Sequence, residues 1–469
     1  MDLIIKGGTV VSPYGRKQTD VMVDKGKIVA VGDASGFQAG RVVDATGKMV
    51  IPGGIDTHVH IESPYMGRFG GDDYYTASVA AAIGGTTTFI DFVKPSEGHT
   101  PMELAQKRIS MAEERGAVVD FSFHIVLNKA APEVLGAIKE MVAFGTPSFK
   151  MYTTTTKDGD IYALMEEIKK QGGLAFIHSE NAGIIDYKVA QALSEGKTDY
   201  IYQALTRPNI VEQEAIQRMA LFATKLGAAV FIAHVSTHEG AEICQAAKKK
   251  GLPVYAETCP HYLLFTEDKL RDAENGLLYI QSPPLRKEED IDALWKALKN
   301  RSIHVTSTDH SSFPRFEKAM DLKRDENGNY IPEFNKVTNG VPGIEMRLPT
   351  LINGVSEGKL TWEELVYVNS YGAAKIFGFY PDKGLIEAGA DADIVLVDPD
   401  KEVSITNAML HMKVDYTVYE GLQYKGWPVM TIQKGVILAE NGAFVGPKGH
   451  GKFIRRKLDP TILKTSDWS

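Results

Sequence analysis

Cysteine is nearly absent, with Cys244 and Cys259 the two in 469 residues. Two thiols cannot build a disulfide framework, and so few point to a reducing compartment. Cys244 sits in the helical pattern "AEICQAAKKK" and Cys259 follows an apolar segment; both read as buried packing residues. Long apolar runs are also missing. Nothing approaches the roughly 20 residues of a membrane span. The opening "MDLIIKGGTVV" lacks the basic and apolar regions of a secretory signal. These absences predict a cytoplasmic protein with no membrane partner. Basic blocks are scarce too. Net charge is −8, and "KKK" at 248–250 and "RRK" at 455–457 are short, solvated runs. Nucleic acid is therefore excluded as a partner. No GxGxxG opens a first helix, which argues against a dinucleotide-binding sheet.

What is present is an ordinary globular composition, 43% hydrophobic and 24% charged, enough for a large core. Residues 1–51 read as short strands punctuated by glycine, such as "DLIIKGG" and "DVMVDKGKIVAVG". Residues 381–440 read the same way in "DADIVLVDPDKEV" and "WPVMTIQKGVILAENGAFVG". Both ends are expected to form one small β-sandwich domain, with 441–469 a tail that reaches a neighbouring subunit. Between them, residues 52–380 alternate apolar strands with amphipathic helical stretches. The strands are "GGIDTHVH", "TTTFIDF", "VVDFSFHIVL", "PSFKMY", "LAFIHSE", "AVFIAHVS", "PVYAETCP" and "IHVTSTDH". Eight strand–helix repeats predict an α/β fold, a (β/α)8 TIM-like barrel.

Buried parallel strands should stay apolar, yet several of these end in metal-ligating residue types. The first ends in His58 and His60, which period two puts on one side. The fourth ends in Lys150, the fifth in His178, the sixth in His234 and the eighth in Asp309. In a parallel barrel these ends open on one face. Four imidazoles and a carboxylate suit zinc. Each residue alone has a plainer explanation: a lone histidine is usually a hydrogen-bonded structural residue, and a lone aspartate a helix cap. His124, His238, His261 and His310 take that plainer reading. In "GTPSFKMYTTTT", Lys150 is a costly buried cation unless it is paired or loses its charge. An ion pair is the simpler solution. Addition of carbon dioxide, giving an anionic carbamate, is the other.

The ordered motifs "GGIDTHVH", "SFKMY", "AFIHSEN", "IAHVS" and "STDHS" resemble the cyclic-amide hydrolases of the amidohydrolase superfamily. "DYIYQALTRP", "ETCPHYLLF", "SPPLR", "VTNGVPGIEMR" and the tail "FVGPKGHGKFIRRK" are similar to dihydropyrimidinases and D-hydantoinases, across essentially the whole chain. The resemblance implies two zinc ions per subunit: one on His58, His60 and Asp309, the other on His178 and His234, bridged by carboxylated Lys150. It implies that a hydroxide between the metals opens a dihydropyrimidine or 5-substituted hydantoin to an N-carbamoyl amino acid. Asp309 would act as general base and acid, and backbone near Ser282 and Asn339 would hold the ureide edge. Without the resemblance, Ser282 and Asn339 read as turn residues in "SPP" and "NG". It also implies a homotetramer.

The sequence departs from that family at one position. A tyrosine usually stands five residues after the bridging lysine and donates to the oxyanion; here Thr155 stands there, and Tyr152 is the nearest phenol. The loop "IESPYMGRFGG" should border the pocket, with Tyr65, Met66 and Arg68 shaping or charging it. Dihydroorotases carry HxHxR; Glu62 occupies the arginine position, which disfavours that activity. Allantoinase is the alternative ring hydrolase. A non-catalytic dihydropyrimidinase-like scaffold is the third reading, opposed by survival of all six ligand positions.

Overall fold

Helix Tyr74–Ile83 shows how one barrel unit is made. Asp73 caps it, accepting from the Thr76 amide at 2.8 Å while Thr76 Oγ1 accepts from the Asp73 amide at 3.1 Å. The helix stops at Gly84, where a Cβ would lie 2.4 Å from the Glu345 carbonyl oxygen. The β-branched and aromatic run Thr86–Val93 follows as a strand buried at every position.

The computed structural model describes residues 1–65 and 67–466. Met66, assigned above to the pocket border, lies outside them. Eight parallel strands form one sheet in chain order: β1 (Gly54–Asp56), β2 (Thr86–Val93), β3 (Asp120–Val126), β4 (Ser148–Tyr152), β5 (Leu174–His178), β6 (Val230–Ile232), β7 (Val254–Thr258) and β8 (Val305–Thr306). The barrel closes just beyond β8 and β1. There Val59 bridges His310, the His60 amide donates to the His310 carbonyl at 2.9 Å, and the Thr308 hydroxyl donates to Asp56 at 2.7 Å. All eight expected strands are present. Arg347, fully buried, ties the seam by donating to the carbonyls of Thr306 and Asn369 at 3.0 and 3.1 Å and to Thr86 Oγ1 at 3.0 Å. Gly54 permits this, because a Cβ there would sit 2.3 Å from the guanidinium.

The two chain ends share a second, nine-stranded mixed sheet. Met49–Pro52 lies antiparallel to Ile394–Ser404, with Val50 opposite Leu396. Leu3, Ile5, Val21, Val50, Ile394 and Ile432 form its core. The segment after it packs on its own barrel. Phe453 bridges Phe121, buried Arg456 donates to Ser122 and Ser148 at 2.8 Å, and the Tyr255 hydroxyl donates to the Ile462 carbonyl at 2.7 Å. These contacts fall at the starts of β3, β4 and β7, so the tail covers the end of the barrel away from the strand tips. Among the described residues, no helix is long and apolar enough to cross a membrane.

Candidate active site

The strand tips bring the expected ligands into one cavity of about 570 Å3, lined by His58, His60, Lys150, His178, His234 and Asp309 among others. Strand β1 ends at Asp56, and the extended chain beyond it carries both histidines. Their rings lie 5.2 Å apart. Asp309 Oδ1 sits 3.1 Å from His58 Nε2 and 3.0 Å from His60 Nε2. These three residues offer donor atoms within 4.8 Å of one another, a spacing able to hold a metal ion. On the other side, His178 Nδ1 meets His234 Nε2 at 2.9 Å. The His58 and His234 rings, 5.4 Å apart, join the two groups. Both His234 (φ 32°) and Asp309 (φ 50°) sit in the left-handed backbone region. Such strain persists where the surroundings over-determine it, commonly at functional sites.

Carboxylates behind the histidines set their orientation. Glu257, at the end of β7, takes His58 Nδ1 on one oxygen and the Thr57 hydroxyl at 2.9 Å on the other. His58 Nε2 is thereby turned toward Asp309. Glu180 accepts from His178 Nε2 at 2.9 Å, is held by Arg207 at 3.1 Å, and leaves Nδ1 facing His234. This is the carboxylate–histidine arrangement that fixes tautomers at metal centres. Burial alone would push the Glu180 carboxyl up, but Arg207 and His178 together overcome it and hold the carboxyl down at about 2. Burial pushes His60 down to about 4 and, with His178 and Lys150 nearby, keeps His234 neutral. His58 differs, since Asp309 and Glu257 outweigh its burial and raise it. Asp309 stays ionised, far below its ordinary range, because His58 and His60 overcome its own burial.

Lys150, at 1% exposure, has no hydrogen-bond partner for its Nζ. That atom lies over the rings of Phe176, Phe92 and Tyr152 at 4.4, 5.2 and 5.2 Å. Burial brings its pKa down to about 8. The ion pair that would be its simpler solution is not there: no carboxylate lies within 4.0 Å among the described residues. The buried, unpartnered Lys150 Nζ and His234 Nδ1, with the Nε2–Asp309–Nε2 triad, fit a two-cation site of N and O donors.

The threonine run divides. Thr153 is buried, donating to the carbonyls of His178 and Glu180 at 2.9 and 2.8 Å, and Thr156 is buried as well. Thr154 and Thr155 face the cavity, as does Tyr152, whose ring packs 5.6 Å from His178. Burial keeps the Tyr152 phenol protonated. Ser282 and Asn339 also line the cavity. Gln203 Nε2 donates to the Gln281 carbonyl at 2.7 Å and to Asn339 Oδ1 at 3.2 Å, tying their loops together. Lys318, fully buried, donates to the carbonyls of Ile280, Thr338 and Gly340 at 3.1, 2.9 and 2.7 Å, so the same loops share one ammonium.

One expected pocket residue turns away. Arg68 does not line the cavity; its guanidinium pairs with Asp321 at 2.6 Å. Glu62 pairs with Arg115 at 2.9 Å. Tyr65 does line it. His124 is structural, held between Ser148 Oγ at 2.7 Å and the Thr57 carbonyl at 3.0 Å. His310 accepts from the Gly343 amide, and His238 pairs with Asp290 outside the cavity. Cys244 and Cys259 are buried and unbridged. Glu257, Glu180, Arg207, Gln203 and Lys318 were not anticipated. The available signals were a carboxylate inside the apolar strand "VYAET" and another two residues after His178.

A model of the amidohydrolase family matches residues 49–438. The chain belongs to that family. This amidohydrolase is 37% identical over 463 residues to the D-hydantoinase of Ralstonia pickettii, covering 97% of this chain and 99% of that one. The solved dihydropyrimidinase of Brevibacillus agri superposes with a TM-score of 0.92 at 36% identity, covering 97% and 99% of the two chains. The solved L-hydantoinase of Arthrobacter aurescens superposes with a TM-score of 0.88 at 31% identity, covering 97% and 100%. The amidohydrolase thus resembles proteins named for both stereochemical preferences.

Proposed function

We propose that this amidohydrolase hydrolyses the ring amide of a dihydropyrimidine or 5-substituted hydantoin to an N-carbamoyl amino acid. The observation that carries the reading is the convergence of five ligand-type side chains around an unpartnered buried lysine in one cavity. His58, His60 and Asp309 would hold one zinc ion, His178 and His234 a second, and Lys150, carboxylated, would bridge them. When bound, such ions acidify water toward neutrality and polarise a carbonyl oxygen.

The chain's own residues do the rest. Asp309, ionised, takes a proton from the attacking water and returns it to the ring nitrogen as the carbon–nitrogen bond breaks. Tyr152, protonated and beside His178, donates to the carbonyl oxygen as it gains charge. Thr155, with a shorter reach, lines the wall beside it. Ser282 and Asn339, fixed by Gln203 and Lys318, offer the backbone edge that orients the ureide. Glu257 and Glu180 keep the imidazoles in register. A cytoplasmic homotetramer is the assembly and compartment that accompany this reading.

The test is ring opening by zinc-loaded protein in bicarbonate buffer with dihydrouracil, hydantoin and allantoin side by side, against a chelated control. Chelator-sensitive turnover of dihydrouracil or hydantoin is expected. Turnover of allantoin alone would replace the reading with allantoinase. Zinc binding with no turnover of any ring would overturn it.

A further inference from the structure

Three cationic side chains line the cavity: Lys150, Arg207 and Lys94. Lys150 is accounted for by the metal site, and Arg207 is neutralised by Glu180 at 3.1 Å. Lys94 is not neutralised. It stands directly after β2, at the barrel face where strand-end residues meet substrate. Its Nζ donates to the Pro64 carbonyl at 3.0 Å and lies 5.9 Å from the centre of the Tyr65 ring. Among the described residues no carboxylate comes within 4.0 Å of it. The acidic groups nearest in the chain and the site are engaged elsewhere: Asp91 holds Arg108 and the Tyr74 hydroxyl, and Asp309 holds His58 and His60. Asp186, the remaining lining carboxylate not already paired, belongs to helix Ala182–Ser194 after β5, three strands further round.

A lysine half-buried in a substrate cavity without a counter-ion is costly to keep charged. Burial indeed lowers its pKa. An anionic group on the bound molecule would relieve that cost and gain a charge-assisted hydrogen bond. The Lys94–Tyr65 pair reaches across the mouth toward the ring-holding edge, since Asn339 Nδ2 donates to the Tyr65 hydroxyl at 3.5 Å. The cation thus lies on the cavity wall beside Tyr65, within the field of Asp309 and His60, where a ring substituent would be read.

We infer that Lys94 is a specificity-determining residue, and that the preferred substrate is a cyclic ureide whose ring substituent ends in a carboxylate. This rests on the ring-hydrolase reading above. Tyr65 supplies the apolar side of the subsite, and the Pro64 carbonyl holds the ammonium in place until the anion arrives.

The experiment compares hydantoin-5-acetate with its neutral isostere hydantoin-5-acetamide and with unsubstituted hydantoin, on the zinc-loaded full chain. The wild-type protein should favour the acetate over the acetamide by about tenfold or more in kcat/KM, mainly through KM, and salt should weaken the preference. Lys94→Met should abolish the preference and change unsubstituted hydantoin turnover less than threefold. Lys94→Arg should keep most of it. Equal use of acetate and acetamide by the wild-type protein, or a preference that survives Lys94→Met, would overturn the assignment while leaving the ring-hydrolase reading intact. Failure to open any of the three rings would instead strike that reading, and the inference with it.

Discussion

Lys150 Nζ lies 4.4 Å from the centre of the Phe176 ring with no hydrogen-bond partner. An aromatic face returns about 2 kcal/mol to a desolvated ammonium. Burying an unpaired charge costs more than that. Burial therefore brings the Lys150 pKa down to about 8, which greatly enlarges the share of neutral amine near neutral pH, and the amine is the form that adds carbon dioxide. Lys150→Ala should lose bound zinc and ring-opening activity together, and a short carboxylic acid such as propionate, seated in the space left by the side chain, should restore part of both. Metal analysis beside turnover checks this. A variant that keeps its zinc and its rate would show that Lys150 is no ligand.

Glu257 takes the Nδ1 of His58, one of the three residues of the candidate metal-binding triad. Glu257→Gln keeps the shape but weakens the orientation of that ring. Zinc affinity should fall by about 10–100-fold, as for other carboxylates behind metal-binding histidines. Competition with a chromogenic chelator measures it. Unchanged affinity would mean His58 is aligned by strand geometry alone.

Tyr152 and Thr155 compete for one role. The phenol ring packs near His178 and Lys150, whereas Thr155 is exposed at the rim. Tyr152→Phe should lower kcat by about 100-fold, the usual effect of removing one oxyanion donor. Thr155→Val should cost far less. The reverse order would give the role to the threonine.

Lys318 is held by three carbonyls and no carboxylate. Burial pulls its pKa down to about 7, but three acceptors with no donor among them favour the ammonium over the amine. Lys318→Met leaves those carbonyls unsatisfied. It should destabilise the fold by about 2 kcal/mol and raise KM more than it lowers kcat, with zinc content unchanged. Urea unfolding and steady-state kinetics separate the two effects. A kcat loss at constant KM would place Lys318 outside ring positioning.

His304 is buried edge-on to Tyr255 at 5.1 Å, and burial holds its pKa down to about 3. The unfolded chain, near its ordinary 6.5, binds the proton first as pH falls. Between those values the unfolded state carries more protons, so stability declines on acidification, by up to about 1.4 kcal/mol per pH unit for one such group. His304→Asn should flatten the stability profile between pH 6 and about 4. Urea unfolding across that range reads it directly, and an unchanged slope would refute the assignment.

The sequence by itself pointed to the barrel, because eight apolar runs alternating with helical patterns suit a closed parallel sheet and no GxGxxG supports the open doubly wound alternative. It also marked His58, His60, Lys150, His178, His234 and Asp309, since ligand-type residues at the ends of buried strands break a period that hydrophobic burial otherwise enforces. The tertiary structure alone decided what stands behind and around them. Glu257 meets His58 across 199 positions of sequence, and Lys318 joins loops around residues 280 and 340. Neither contact has a period or spacing to read. Arg68, charged and in the right loop, is buried away from the cavity and paired with Asp321. Lys94, unremarked among the strand-end residues, faces the cavity without a counter-ion. Periodicity fixes which face a side chain takes on its own element. Which charge it then meets depends on loops that fold over that face from distant parts of the chain.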